Sequence, residues 1–101
     1  MIKRATIARV YKNTHKMKDG VKGDAYIYKN GANAGKNFVR VGIKTDVTGE
    51  DTYYANVLPS DRIMNIEVNQ KLVLKFTDDG QFKNFTYPSK KDLEDFALNG
   101  E

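Results

Sequence analysis

The segment Phe38–Thr45 (FVRVGIKT) constrains the fold more than any other part of the chain, because its side chains alternate without a break. Val39, Val41 and Ile43 fall on one side of an extended strand, and Phe38, Arg40, Gly42 and Lys44 fall on the other. That is the signature of a half-buried strand. Its second side offers a ring, two cations and a glycine without a side chain, the kinds of group that stack bases and neutralise phosphates.

Further strands follow from similar signals. Lys71–Thr77 (KLVLKFT) and Gln81–Tyr87 (QFKNFTY) flank Asp78-Asp79-Gly80, and Asp-Gly between alternating apolar runs is a strong hairpin signal. Leu72, Leu74 and Phe76 share one side and are expected to meet Phe82 or Phe85 across the turn. Ala5–Tyr11 reads as a first strand, Asp24–Lys29 as another with Tyr26 and Tyr28 together on one side, and Thr52–Leu58 as a fourth. Lys12–Gly23 reads as a long loop or a loosely paired hairpin tip, a candidate basic arm. Ser60–Ile66, after Pro59, suits a short helical connection that faces Ile63, Met64 and Ile66 inward. After Pro88 the period changes. Ser89 as N-cap, Asp92 as its capping-box partner, Leu93, Phe96 and Ala97 at helical spacing and Gly100 as a stop predict a short helix, with an acidic tail as the alternative.

Six strand-like segments and one terminal helix in 101 residues predict a mainly β fold. The expected architecture is a small antiparallel OB-like barrel or curved sheet with a short C-terminal helix, and a two-layer α+β sheet is the alternative. Residues 1–88 would form the barrel domain, and residues 89–101 the acidic helix or tail.

Charge divides the chain in two. Residues 1–44 hold eleven Lys or Arg against Asp19 and Asp24, whereas residues 45–101 hold six against eleven acids. A basic half is the footprint of a polyanion binder, and it also serves solubility. With no cysteine, two serines and one histidine, nucleophilic triads and the common zinc sites have almost no material. The loop Gly31-Ala-Asn-Ala-Gly35-Lys36-Asn37 departs from a phosphate-binding P-loop, with three residues between its glycines and Asn after the lysine. His15 stands among lysines, and Glu50-Asp51 and Asp78-Asp79 flank turns, where acids serve local hydrogen bonding. The expectation is a non-catalytic protein without cofactor or metal. The N-terminal MIKRATIARVYKN lacks an apolar run of signal-peptide length, which predicts a cytoplasmic protein and no membrane partner.

Phe76, Phe82, Phe85 and one of Tyr53 or Tyr54 sit in apolar alternating contexts and are expected in the core. Tyr26, Tyr28 and Phe38 suit base stacking and core packing alike, with Lys29, Arg40 and Lys44 beside them. Together with Arg9, Lys22 and Lys36, these residues form the candidate nucleic-acid-binding set. The basic aromatic stretch YIYKNGANAGKNFVRVGIK, the hairpin KLVLKFTDDGQFKNFTY and the acidic end DLEDFALNGE resemble the small single-stranded-DNA-binding proteins of phages and mobile elements. The resemblance implies an OB-like barrel that coats single strands, acting in the host cytoplasm. It also implies an acidic end, here Asp92, Glu94, Asp95 and Phe96, that recruits a protein partner. A small inhibitor or accessory factor that binds a host protein or protein–nucleic-acid complex is the competing expectation. A homodimer is a further one.

Overall fold

The computed structural model describes residues 1–99. Seven strands run in the order Ile2–Asn13 (β1), His15–Lys18 (β2), Val21–Ala25 (β3), Val39–Thr45 (β4), Tyr53–Val57 (β5), Lys71–Asp78 (β6) and Lys83–Thr86 (β7). A 3-10 turn at Arg62–Asn65 and one helix, Lys90–Asn99 (α1), complete the chain. Gly100, the expected stop, lies outside the described residues.

Five strands close into a barrel in the order β1-β4-β5-β7-β6, while β2 and β3 pair only with each other as a separate arm. The arm turns at Asp19 and Gly20, both with positive φ of 52° and 77°, the backbone that a two-residue hairpin turn requires. The long segment Lys12–Gly23 is thus a paired hairpin rather than an open loop. All barrel pairings are antiparallel except one: β5 and β7 run parallel, in register at Tyr54 and Asn84. The barrel is OB-like, and its connection between first and second strands carries the arm.

Inward residues follow the expected alternation. Val39, Val41, Ile43, Tyr53, Val57, Leu74, Phe76 and Phe85 are buried together with Ala5 and Ile7. Fully burying an aliphatic side chain such as Ile7 or Leu74 contributes about 1.5–3 kcal/mol. Phe76 faces Phe85 across the β6–β7 pair, and its ring meets Tyr53 edge-on at 5.5 Å. Of the two tyrosines, Tyr53 is therefore the core residue. Phe82 is not: 57% of its surface is exposed, because β7 begins only at Lys83 and Phe82 belongs to the turn. Ile63 and Ile66, at and just after the 3-10 turn, are buried as expected, and Met64 packs against the same core. Asp61 caps that turn, its carboxylate accepting from the Ile63 N–H at 2.8 Å.

The strand expected at Asp24–Lys29 stops at Ala25. Beyond it a single bridge joins Ile27 to Asn37, since the chain leaves the arm there to enter the glycine loop.

At α1 the capping box forms on both sides: the Asp92 N–H donates to Ser89 Oγ at 3.1 Å, and the Ser89 N–H donates to Asp92 Oδ2 at 3.0 Å. Lys75 on β6 lies 3.5 Å from the same carboxylate. No α1 residue is buried, so these polar contacts rather than apolar docking hold the helix start. A ten-residue helix is marginal alone. The Ser89 backbone hydrogen bond, followed by its hydroxyl, holds the Asp92 carboxyl below the usual carboxylate range. A depressed folded pKa gives stability that is present above the ordinary value of ~3.9 and lost as pH falls through the folded value. Protection of the amides across residues 90–99, taken relative to the intrinsic exchange rate at each pH, is therefore expected to hold from neutral pH down to about 4 and to fall below it, with the protection of the barrel amides unaffected. Asp92→Asn should remove that pH step, and loss of helix protection already at pH 6 would contradict the assignment.

Candidate nucleic-acid interface

A β-bulge in β1 builds one part of the face. Pairing with β4 shifts between Ile7, opposite Thr45, and Arg9, opposite Lys44. Strict alternation from Ala5 and Ile7 would have turned Arg9 into the core. The extra residue reverses the parity, so Val10 packs against the core while Arg9 and Tyr11 face out. Three rows result across β1, β4 and β5. Arg9 sits opposite Lys44, Tyr11 opposite Gly42 and then Tyr54, and Asn13 opposite Arg40 and then Asn56.

Gly42 is the centre of this face. A Cβ there would lie 2.9 Å from Tyr54 Cε1 and 3.0 Å from Thr52 Cγ2, so the absent side chain is what lets the Tyr54 ring lie across β4. Arg40 covers the same ring, its Cζ 4.1 Å from the centroid, and donates to Asn56 Oδ1 at 3.1 Å. Cation–π contact and hydrogen bond together orient the guanidinium. Lys44 has a loose partner in Glu50, at 4.0 Å with the acid fully exposed, a pair that contributes little. Arg9 and Lys44 thus stand as like charges in directly opposed positions, an arrangement that an anion relieves.

Beyond Arg40 the outward row continues into three rings. Phe38 is the middle one, its centroid 5.0 Å from Tyr26 in a stacked pair and 4.7 Å from Tyr28 in a tilted pair. All three are half-buried. The Tyr28 hydroxyl donates to the Asn56 carbonyl at 2.9 Å, tying the rings to β5. Burial, and then the nearby Asp61 carboxylate, raises the Tyr28 pKa above its ordinary value. The glycine loop that joins these rings is itself closed, with the Gly35 N–H donating to Tyr28 O at 2.8 Å and the Tyr28 N–H to Lys36 O at 3.0 Å. Gly31 and Gly35 both hold φ of 83°, which permits the tight return. Lys29 and Lys36 flank it, both exposed.

On the other side, the parallel pairing brings the β6–β7 turn next to β5. Asp79 Oδ1 accepts from the Phe82 N–H at 2.6 Å and from the Gln81 N–H at 3.0 Å, and these bonds hold its carboxyl below the usual range. They pin the Phe82 backbone and leave its ring in solvent. Between this turn and the sheet lies a pocket of about 310 Å³, lined by Arg40, Tyr54 and Asn56 from β4 and β5, by Gln81 and Phe82 from the turn and by Lys83 at the start of β7.

The expected binding residues therefore divide. Tyr26, Tyr28, Phe38, Arg40 and Lys44 lie on one continuous outward surface, with Lys29 and Lys36 at its edge and Arg9 opposite Lys44. Lys22 does not join them: it lies on β3, opposite Met17 in the arm. Asp92 is engaged in capping, while Glu94 and Asp95 are exposed and Phe96 is half-buried. Three residues of the surface escaped the sequence reading. Tyr11 was hidden by the bulge, Tyr54 by its resemblance to a core tyrosine, and Phe82 by its apolar context. Gly42 opposite an aromatic was the one available signal.

Comparison with protein-family models, with curated proteins and with solved structures finds no match.

Gly42→Ala is expected to destabilise the barrel by about 1–3 kcal/mol, the usual penalty for forcing a methyl into a filled space. Thermal unfolding measures it. Gly49→Ala, at a glycine with open space around it but φ of 62°, tests backbone strain alone and should leave the Tyr54 ring signals in place.

Proposed function

We propose that this chain binds single-stranded nucleic acid, without catalysis, across the outer face of β1, β4 and β5. The observation that carries the reading is the continuous row of Tyr26, Phe38, Tyr28, Arg40 and Tyr54, bordered by cations without tight acidic partners among the described residues. Rings and guanidinium planes provide stacking surfaces for unpaired bases, and Arg9, Lys29, Lys36 and Lys44 provide charge for the phosphates. A duplex would offer its phosphates but not its base faces. The face spans roughly 20 Å along β4 at ~3.3 Å per residue, adequate for the short sites of ~4–16 nucleotides typical of one OB fold. Its position between the first connection and the β6–β7 turn is also where barrels of this type take oligonucleotides.

Those four cations imply a salt slope near −3 at ~0.7 per phosphate contact, so raising salt from about 50 to 200 mM should weaken binding roughly fifty-fold. Fluorescence anisotropy with a labelled thymidine oligomer measures this. Arg40→Ala and Phe38→Ala are each expected to weaken binding about tenfold or more, and Lys71→Ala, on β6, far less. Failure to bind at low salt, or equal losses for all three variants, would refute the reading and favour the protein-binding alternative.

A further inference from the structure

An open groove of about 790 Å³ runs between the arm and the ring stack. Tyr26, Phe38 and Ile27 supply its apolar lining, and Lys16, Lys29 and Asp24 its charged groups. A pocket of that size, apolar with a few polar groups, is in the range that encloses small ligands. Asp24 is the odd member. It is one of two acids in residues 1–44, the other being Asp19 in the arm's turn, and a carboxylate on a phosphate-binding face works against affinity. Among the described residues its carboxylate has no hydrogen-bond or ion-pair partner, so both oxygens are available as acceptors.

We propose that this groove is a base-selective slot that takes guanine from the bound strand, an inference that rests on the single-strand-binding reading above. The base stacks against the Tyr26–Phe38 pair, and Asp24 accepts from its Watson–Crick edge. Guanine alone presents two adjacent donors there, N1–H and the N2 amine, which match the two carboxylate oxygens. Thymine and uracil present one N–H between two carbonyls, which the carboxylate repels. Adenine and cytosine present an amine beside a bare ring nitrogen. Lys16 and Lys29 flank the slot as the phosphate contacts on either side of the selected base. The face as a whole then binds any strand, and the groove sets which base docks first.

The test uses the full chain at low salt and labelled oligomers of about twelve thymidines, unmodified or with one central guanine, hypoxanthine or adenine. Wild type is expected to bind the guanine oligomer about tenfold more tightly than the thymidine oligomer, the usual discrimination of a two-bond contact. Hypoxanthine, which keeps N1–H and lacks the amine, should fall between them, and adenine near thymine. Asp24→Asn should bind the thymidine oligomer somewhat more tightly, since a negative charge has left a cationic face, and should lose most of the guanine preference. Equal affinity of wild type for all four oligomers overturns the slot while leaving general binding standing. Persistence of the preference in Asp24→Asn overturns Asp24 as the reader. Absence of binding to every oligomer overturns the slot and the single-strand reading together.

Discussion

Barrel closure depends on one short parallel contact, in register at Tyr54 and Asn84. Antiparallel neighbours can follow one another through tight turns, but parallel ones need a crossover. The chain supplies it in the segment after β5. This segment buries Ile63 and Ile66 beside a 3-10 turn, builds β6 against β1, and returns through the Asp78–Lys83 turn. The turn therefore arrives beside the outer face of β5. The pairing that closes the core is also the one that sets Phe82 and Lys83 next to Tyr54 and Arg40.

Charge separation follows from the same strand order. Basic residues concentrate before position 45, and thus on β1, the arm and β4. The acidic helix α1 is pinned through Asp92 to Lys75 on β6, and β6 is separated from β4 by β1 on one side and by β7 and β5 on the other. The acids Glu94 and Asp95 consequently start from a different wall of the barrel than the cations of the candidate face. Topology, rather than sequence distance alone, keeps the two from cancelling.

Elements whose cause is local could be read from the residues in order. The alternation of Val39, Val41 and Ile43, the Asp79-Gly80 turn and the Ser89–Asp92 capping box each involve contacts within a few residues, and each formed as its chemistry dictates. What escaped was set by distant partners. The β1 bulge arises where pairing with β4 shifts around Ala8, and only that partner shows that Arg9 points out. Tyr53 and Tyr54 are equivalent in composition, and which one is buried depends on the register with β4 and on the Phe76 ring. Phe82 looked like a strand residue because it follows the Asp79-Gly80 turn, where the second strand of the hairpin was expected to begin. The Asp79 hydrogen bonds to its backbone and to Gln81 keep it in the turn instead.

The three-ring cluster also bears on how such a surface can be both stable and open. Free-standing aromatics on a strand would expose large apolar area and lose rotamer freedom on binding. Here Phe38 is held between Tyr26 and Tyr28, and the Tyr28 hydroxyl is fixed on the Asn56 carbonyl, so ring order is established on folding. Such ring pairs contribute about 0.5–1.5 kcal/mol each beyond area burial, a gain the fold keeps in the absence of ligand. The cost is that Phe38 gives part of its ring area to both tyrosines. Preorganisation of this kind lowers the entropic penalty of association without adding contacts. It also explains why glycine is required at position 42: Tyr54 must settle onto the sheet for Arg40 to be held above it, and the ordered surface then continues from the ring cluster to the β6–β7 turn.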